Sequence, residues 1–451
     1  MTTMKARLLA AVAISTLLTA SGPARAASDS DIATIRQQID SMKSEYETRI
    51  QQLEQRLQQT QSDAQAAKQA AAQSQATADA AKTAANQPPP SPPAAAGAFN
   101  PAISAVLNGN YGAFSRDPAT AKIPGFGAGA AATPGKRGFN LGESEIDVTA
   151  NVDQAFLAWL AVSFDSDNTA SVEEAYIQST SLPYGLTAKA GRFFSGIGYL
   201  NQKHAHDWDF VDAPLPYRAM LNNQYGDDGV QLRWLAPTDY FLEFGSEMFR
   251  GDAFPAGNGA RAGNGARSLF VHVGDDFNDS SSWQAGLSYL GTSAANREDG
   301  TLPNKFDGHD DLGIASLVYK WAPGGNPLQR NFSLASEYFQ RHERGTYNTT
   351  GLNTDQSGWY LQGVYQFMPR WRFGLRYDEL NSDTVNASLA GTALDNMGHT
   401  PRRGTALLEY DTSEFGRFRL QFNRDNSDLQ TNNELLLQYT VIVGPHGAHV
   451  F

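Results

Sequence analysis

Apolar and polar side chains alternate along the chain from residue 100 onward, in segments of about ten residues that end at turn-forming residues. In one such segment Glu143, Glu145 and Asp147 share one face, whereas Ile146 and Val148 share the other. An alternation with a period of two is typical of β-strands whose two faces meet different surroundings. We count sixteen such segments. The predicted strands are 103–114, 141–151, 155–165, 172–181, 186–194, 229–235, 240–249, 267–274, 282–291, 311–321, 330–341, 357–367, 371–379, 404–412, 416–424 and 433–443.

The connections between these strands alternate in length. The even-numbered ones are short turns, whereas most of the odd-numbered ones are long. Short turns at one end and long loops at the other are typical of outer-membrane β-barrels. The alternative is an antiparallel sheet with one face in water, but the number of strands argues against it. We therefore predict an all-β transmembrane barrel over 100–451. The predicted long loops are 115–140, 195–228, 250–266, 292–310, 342–356 and 380–403.

A different pattern occupies residues 29–86. Apolar or small residues recur there at alternating spacings of three and four, beginning with Ile32, Ile35 and Ile39, and the other positions are mostly polar. A polar helix with one narrow apolar seam predicts a coiled coil, which requires partner chains. If fully helical, the segment is roughly 87 Å long. A disordered spacer rich in Ala and Gln is the alternative.

Two further segments flank this predicted helix. Residues 1–26 carry Lys5 and Arg7, then an apolar stretch and an A-x-A sequence, which together predict a secretory signal peptide. Residues 87–99 are rich in Pro and Ala and predict an extended linker. We expect an exported protein with its barrel in the bacterial outer membrane and its coiled coil in the periplasm, where contact with peptidoglycan is feasible.

Composition and motifs narrow the function. The net charge of −12 disfavours nucleic acid as a partner, because nucleic-acid binding needs a clustered positive field. The chain contains no Cys, which fits an exported protein that does without disulfides. No G-x-S-x-G, H-E-x-x-H or P-loop motif is present. We therefore expect no enzymatic activity and no obligatory cofactor.

The barrel segment resembles the sixteen-stranded trimeric porins. It is most similar to the phosphate- and dicarboxylate-porin type, in which a coiled coil precedes the barrel. Residues 174–215 also resemble a bacterial family of predicted outer-membrane proteins whose members are sometimes labelled TonB-dependent or zinc-regulated receptors. A TonB-dependent receptor has a plug domain and 22 strands, which this chain does not offer. The resemblance implies a homotrimer in outer-membrane lipid and passive diffusion of small hydrophilic solutes.

In porins the third outer loop folds into the lumen, and the third odd-numbered connection here is 195–228. This stretch is dense in aromatic, His and Asp residues. We expect it to narrow the pore. The expected constriction residues are Lys203, Asp207, Asp209, Asp212 and Arg218.

Charged residues on the polar faces of the strands are expected to line the rest of the pore. Opposed rows of charged residues across a narrow lumen select solutes by charge. The alternative is that these residues pair with one another and only fill the wall. The arginines favour small anions, whereas the loop acids weaken that preference. The expected lining residues are Arg192, Arg233, Arg372, Arg376, Arg417, Arg419, Glu143, Glu145, Asp147 and Glu174.

His204 and His206 form the one metal-like cluster of the sequence. Residues two apart share a face in an extended segment, so both rings can reach one Zn²⁺ with a carboxylate as third ligand. Hydrogen bonding or pore lining is the alternative for both. Three hypotheses follow from the sequence: a passive diffusion channel, a zinc- or ligand-binding uptake protein, and a structural tether to the cell envelope.

Overall fold

The computed structural model describes residues 101–127, 134–167, 169–257, 264–299 and 304–444, together with Lys43, Gln51 and Gln55. The predicted signal peptide, coiled coil and linker lie outside these ranges, apart from the three single residues, which are helical and exposed. These three predictions therefore stay predictions. The same holds for the end of the chain after Gly444.

Residues 101–444 form one closed antiparallel barrel. Seventeen strands follow the order of the chain around a single sheet, and the last strand pairs with the first from Ala105↔Val443 to Phe114↔Glu434. β2 and β3 both pair with β1 and are separated only by Gly142 and Glu143, so they are two halves of one barrel strand. The barrel therefore has sixteen strands, as the sequence predicted. The bounds are β1 Ala102–Phe114, β2 Gly138–Leu141, β3 Ser144–Asn151, β4 Phe156–Phe164, β5 Ala170–Ser179, β6 Leu186–Phe194, β7 Gly226–Leu235, β8 Phe241–Phe249, β9 Ala266–Asn278, β10 Ser281–Asp299, β11 Asn304–Trp321, β12 Asn331–Tyr347, β13 Thr350–Met368, β14 Trp371–Ser382, β15 Arg402–Ser413, β16 Gly416–Asn426 and β17 Asn432–Val443.

The alternation along each strand separates an apolar outside from a polar inside. On β14, Phe373 and Leu375 are exposed on the outer surface, whereas Arg372 and Arg376 point inward. A lipid-facing band needs apolar side chains, because no water there solvates a charge. Polar side chains on the inner faces bind one another and the loops that fold between them.

Two predicted long loops are wrong. The residues assigned to 292–310 and 342–356 belong mostly to strands, because β10 to β13 continue past the apolar band as paired hairpins. The outward side chains at the end of β12 include Gln340, His342 and Arg344. These polar residues break the apolar-polar alternation, although backbone pairing continues without it. The sequence pattern therefore marked the end of the apolar band rather than the end of the strand.

Short helices occur only in the connections of the described ranges. The longest is Leu215–Leu221, whose seven residues are all buried. Single-turn 3₁₀ helices lie at Pro118–Thr120, Pro183–Gly185, Ala205–Asp207, Pro323–Gly325 and Ala387–Leu389. Among these residues no helix has the length and apolarity needed to cross a membrane.

Candidate functional site

The connection between β6 and β7 folds into the barrel. It comprises residues 195–225, because β7 begins at Gly226, three residues before the predicted start. We call it the inner loop. Its base is closed by Asn201, whose side-chain amide donates to the carbonyls of Ser195 and Tyr225 at 2.8 Å each. The amide oxygen of Asn201 also accepts from the Tyr225 N–H at 2.7 Å. One buried Asn thus joins both ends of the loop.

An apolar core inside the barrel holds the first and last thirds of the inner loop. Ile197, Leu200 and the helix Leu215–Leu221 pack against inward side chains of the wall, among them Phe249 and Phe339. Ile123 and Phe126, from the connection between β1 and β2, belong to the same core. The lumen of this barrel is therefore partly filled by packed side chains at the level of the loop.

Glu337 on β12 is the polar anchor of this part of the loop. Its carboxylate accepts from the Tyr199 N–H at 2.7 Å, the Tyr217 hydroxyl at 2.9 Å and the Tyr360 hydroxyl at 2.6 Å. Glu337 is 1% exposed. A buried carboxylate with three donors is satisfied without a basic partner, so it ties the loop to the wall.

The middle of the loop reaches the opposite wall, where it meets β14 to β16. The Asp212 carboxylate accepts from Arg376 at 2.6 Å and from Arg403 at 3.0 Å. Gln421 and Asn423 each donate to it at 2.9 Å. Burial opposes ionisation of this group, but the two arginines outweigh it and hold the pKa of Asp212 well below its usual range.

Neighbouring loop residues extend this contact. Arg419 donates to the Trp208 carbonyl at 2.6 Å, and Arg372 donates to the Asp209 carboxylate at 2.5 Å. Arg218 lies on the loop helix, 3% exposed, with its guanidinium 3.6 Å from Asp425. The inner loop therefore crosses the lumen and has polar contacts on both sides of it.

On the side of β3 and β5, His204 meets a group of carboxylates. Its Nδ1 lies 3.2 Å from Glu145 and 3.4 Å from Glu173, and its Nε2 lies 3.1 Å from Glu174. Two consecutive glutamates face inward because the pairing of β4 with β5 skips Glu173, which forms a β-bulge. Burial opposes protonation, but the hydrogen bonds to Glu145, Glu173 and Glu174 outweigh it and raise the pKa of His204 well above its usual range. This shift favours the protonated ring, which pairs with these acids.

His206 belongs to the same cluster. Its Nδ1 lies 3.2 Å from Glu145, and its Nε2 lies 3.5 Å from Asp207. Ligand atoms of Glu145, His204 and His206 lie within 4.8 Å of one another. Contacts of the two rings with the carboxylates, including the hydrogen bond between His204 Nε2 and Glu174, are sufficient to explain this arrangement, so zinc binding by His204 and His206 stays a prediction.

The expected constriction residues divide into two groups. Lys203, Asp207 and Asp209 line a chamber of about 1020 Å³ between the inner loop and the short turns. Asp212 and Arg218 are outside that lining and pack against the wall of β14 to β16. The chamber has a mixed charge, because its wall carries both basic and acidic side chains. The basic lining residues are Lys203, Lys320, Arg370, Arg372 and Arg417. The acidic lining residues are Asp207, Asp209, Asp276, Asp279, Asp411 and Glu414.

Among the expected lining residues, the prediction for Arg192 is wrong, because its side chain lies on the outer surface of the barrel. Its register partner is Asp228, on the same face as the pair Ala190↔Val230, and Val230 is 55% exposed on the outer surface. The Nε of Arg192 lies 2.7 Å from the Asp228 carboxylate, so the two form an exposed ion pair outside the lumen. The sequence prediction failed there because it took a charged residue near the loop to be a pore residue.

The remaining expected lining residues lie on inner faces or beside them. Arg372, Arg376 and Arg419 bind the inner loop, and Arg417 lines the chamber. Arg233 pairs instead with Glu243, away from the loop. Of the acids, Glu145 and Glu174 contact His204, Asp147 accepts from Ser104 at 3.1 Å, and Glu143 contacts Glu173.

Several residues that position the loop are absent from the sequence prediction. Glu337 and Arg403 point inward by the same alternation that identified Arg376. Strand parity was therefore a usable signal for both. Glu173 was not detectable in this way, because a β-bulge shifts the parity of its strand. The other missed residues are Lys320, Asp378, Gln421 and Asn423.

The fold and the loop define a class: a sixteen-stranded outer-membrane-type β-barrel whose lumen is crossed by an inward-folded loop. No family model matches the chain. An uncharacterised protein of Aquifex aeolicus (strain VF5) is 31% identical over 341 residues, which cover 70% of this chain and 71% of that protein. The chain belongs to the same family as this Aquifex protein.

Solved barrel structures are more distant. The anion-selective porin from Comamonas acidovorans is 11% identical, with a TM-score of 0.49, over 76% of this chain and 98% of the porin. The outer membrane channel DcaP of Acinetobacter baumannii is 11% identical, with a TM-score of 0.48, over 76% of this chain and 96% of DcaP. The trimer form of OmpT from Vibrio cholerae is 10% identical, with a TM-score of 0.48, over 76% of this chain and 98% of OmpT.

Proposed function

We propose that the protein is an outer-membrane channel through which small hydrophilic solutes diffuse passively, and that the inner loop sets the size and charge of the solutes that pass. The observation that supports this most is the closed barrel with an apolar outside and a polar inside, crossed by a loop that is held by Glu337 and Asp212. A barrel of this kind places a water-filled lumen across the bilayer. A fixed loop then restricts the lumen without any input of energy.

Preference for anions is part of the proposal. Lys203, Lys320, Arg372 and Arg417 lie together where the inner loop meets the chamber. Basic side chains at the narrow part of a channel raise the local concentration of anions and lower the barrier for their passage. The acids of the chamber, among them Asp207 and Asp209 on the loop, reduce this preference. A phosphate- or dicarboxylate-specific channel stays a prediction from the resemblance.

The channel is tested by reconstituting the full chain in planar bilayers. We expect stepwise conductance in potassium chloride and a reversal potential of the sign for anion preference across a salt gradient. Deletion of residues 200–215 should raise the single-channel conductance severalfold. Deletion of 386–397, in the outer connection between β14 and β15, is the matched control and should change conductance much less. Absence of conductance steps in the intact protein would refute the channel.

Assembly and placement in the envelope are further parts of the proposal. We infer a homotrimer in outer-membrane lipid, with residues 29–86 as a periplasmic coiled coil that reaches toward peptidoglycan. Support comes from the apolar seam of 29–86, since a coiled coil needs partner chains. Chemical cross-linking of the intact chain should give trimers, and a chain lacking 29–86 should give fewer. Equal yields of cross-linked trimer from both chains would show that residues 29–86 do not contribute to trimer formation.

A further inference from the structure

One loop carboxylate lies among four basic side chains at the ceiling of the chamber. Arg372 on β14 contacts Asp209 directly, and Lys203, Lys320 and Arg417 act on the same carboxylate through the chamber. Burial opposes ionisation, but Arg372, Lys203 and Arg417 outweigh it and lower the pKa of Asp209. Asp209 is thus ionised, and it occupies a place suited to an anion.

Asp209 is held far less firmly than Asp212. Asp212 accepts from two arginines, a Gln and an Asn, and its side chain is 15% exposed. Asp209 accepts from Arg372 and, at 3.5 Å, from Gln362, and its side chain is 26% exposed toward the chamber. Asp212 fixes the loop, whereas Asp209 has fewer partners and is exposed to the chamber through which solutes pass.

Arg372 and Lys203 each have a partner besides Asp209. Arg372 also donates to Glu409 at 2.7 Å, and Lys203 donates to the Tyr199 hydroxyl at 2.7 Å with its Nζ 3.9 Å from the ring centre. These contacts orient a guanidinium and an ammonium toward the same volume. A site of this kind persists when the Asp209 carboxylate moves away, because its donors are held by other partners.

We propose that Asp209 is a tethered counter-ion that an anionic solute displaces from Arg372 and Lys203 during passage. The inference rests on the proposed function, because it describes how the channel discriminates between solutes. Asp209 then acts as a specificity-determining residue. It weakens anion binding at the ceiling of the chamber, so that anions enter the site and leave it again.

The test uses sulfate as the probe anion. We expect Asp209→Asn to strengthen sulfate block of the chloride current at least fivefold and to shift the reversal potential toward anions. The matched control is Asp279→Asn, which removes an exposed acid from the chamber rim and should change sulfate block less than twofold. Lys320→Gln should weaken the block at least threefold.

Two outcomes would overturn the inference. Equal effects of Asp209→Asn and Asp279→Asn would show a general field rather than a site, and weaker block in Asp209→Asn would show that the carboxylate helps anion passage. Asp209→Ser provides a second variant if Asp209→Asn fails to fold. Equilibrium binding of sulfate to the folded full chain in detergent measures the affinity of the same site without any measurement of current. An intact protein that conducts nothing refutes the proposed function, whereas the binding measurement still decides the role of Asp209.

Discussion

Glu337 is expected to control how firmly the inner loop is held. Glu337→Ala removes one acceptor and leaves three buried donors, the Tyr199 N–H and the hydroxyls of Tyr217 and Tyr360. Each unsatisfied buried donor costs about 1–3 kcal/mol. Water that enters the vacated volume relieves part of this cost for the two hydroxyls, so we expect a net loss of about 3 kcal/mol in the stability of the loop-wall contact.

Amide hydrogen exchange of the loop measures this loss directly. When exchange occurs from a local opening, about 1.4 kcal/mol corresponds to a tenfold change in rate. The amides of Tyr199 and Leu200 should therefore exchange roughly 150-fold faster in Glu337→Ala than in the wild type. Tyr360→Phe removes one donor but leaves the carboxylate with two, so it should give a tenfold effect or less.

A remote substitution provides the control. Gln366 is another inward residue, and it donates to the carbonyls of Pro327 and Leu328 in a short turn. Gln366→Ala should leave the exchange of the loop amides unchanged. If exchange at Tyr199 and Leu200 changed less than threefold in Glu337→Ala, the apolar core would hold the loop alone, and the anchoring role of Glu337 would be wrong.

Three further predictions concern charge and lipid contact. Burial lowers the pKa of Lys203 to about 8, so Lys203 loses its positive charge between pH 7 and 9, and anion preference in reversal-potential measurements should fall over this range; a Lys203→Met channel should lack the titration. The pKa of His204 is raised, so its pairing with Glu145 is present at low and neutral pH and is lost as pH rises through the raised value. Relative to the base-catalysed intrinsic rate, protection of the 204–207 amides should fall at alkaline pH in the wild type, whereas in His204→Gln it should be low at neutral pH as well. Protection that does not change with pH in either protein would contradict the ion pair. Leu287 is 63% exposed on the outer surface, so Leu287→Arg should cost about 2–4 kcal/mol in urea titrations of folding into lipid vesicles, and a loss below 0.5 kcal/mol would mean that this position does not face lipid.

Most of the barrel follows from strand alternation, and the errors have one cause. The predicted starts and ends of β6 and β17 lie within one residue of the observed strands. β12 continues six residues beyond its predicted end at 341, because outward polar residues such as His342 carry no apolar signal while the backbone still pairs. Periodicity reports the surroundings of side chains, and pairing depends on the backbone.

The site was less predictable than the wall. The position and composition of the inner loop identified it as the segment that enters the lumen, and Asp209 and Asp212 were both selected from it. Their different roles follow from partners that are more than 150 residues away, Arg372 for Asp209 and Arg403 for Asp212. No local pattern contains that information.

The sequence by itself determined the strand number and the inward or outward face of most strand residues, because both depend on local spacing. Connection length and the resemblance to porins identified the loop that enters the lumen. Tertiary structure decided which charges meet. It placed Arg192 on the outer surface, used a β-bulge to bring Glu173 to His204, and separated the firmly held Asp212 from the loosely held Asp209. The physical reason is that the energy of a charge depends on its distance to partners and on burial, and both are set only when distant strands close into a barrel.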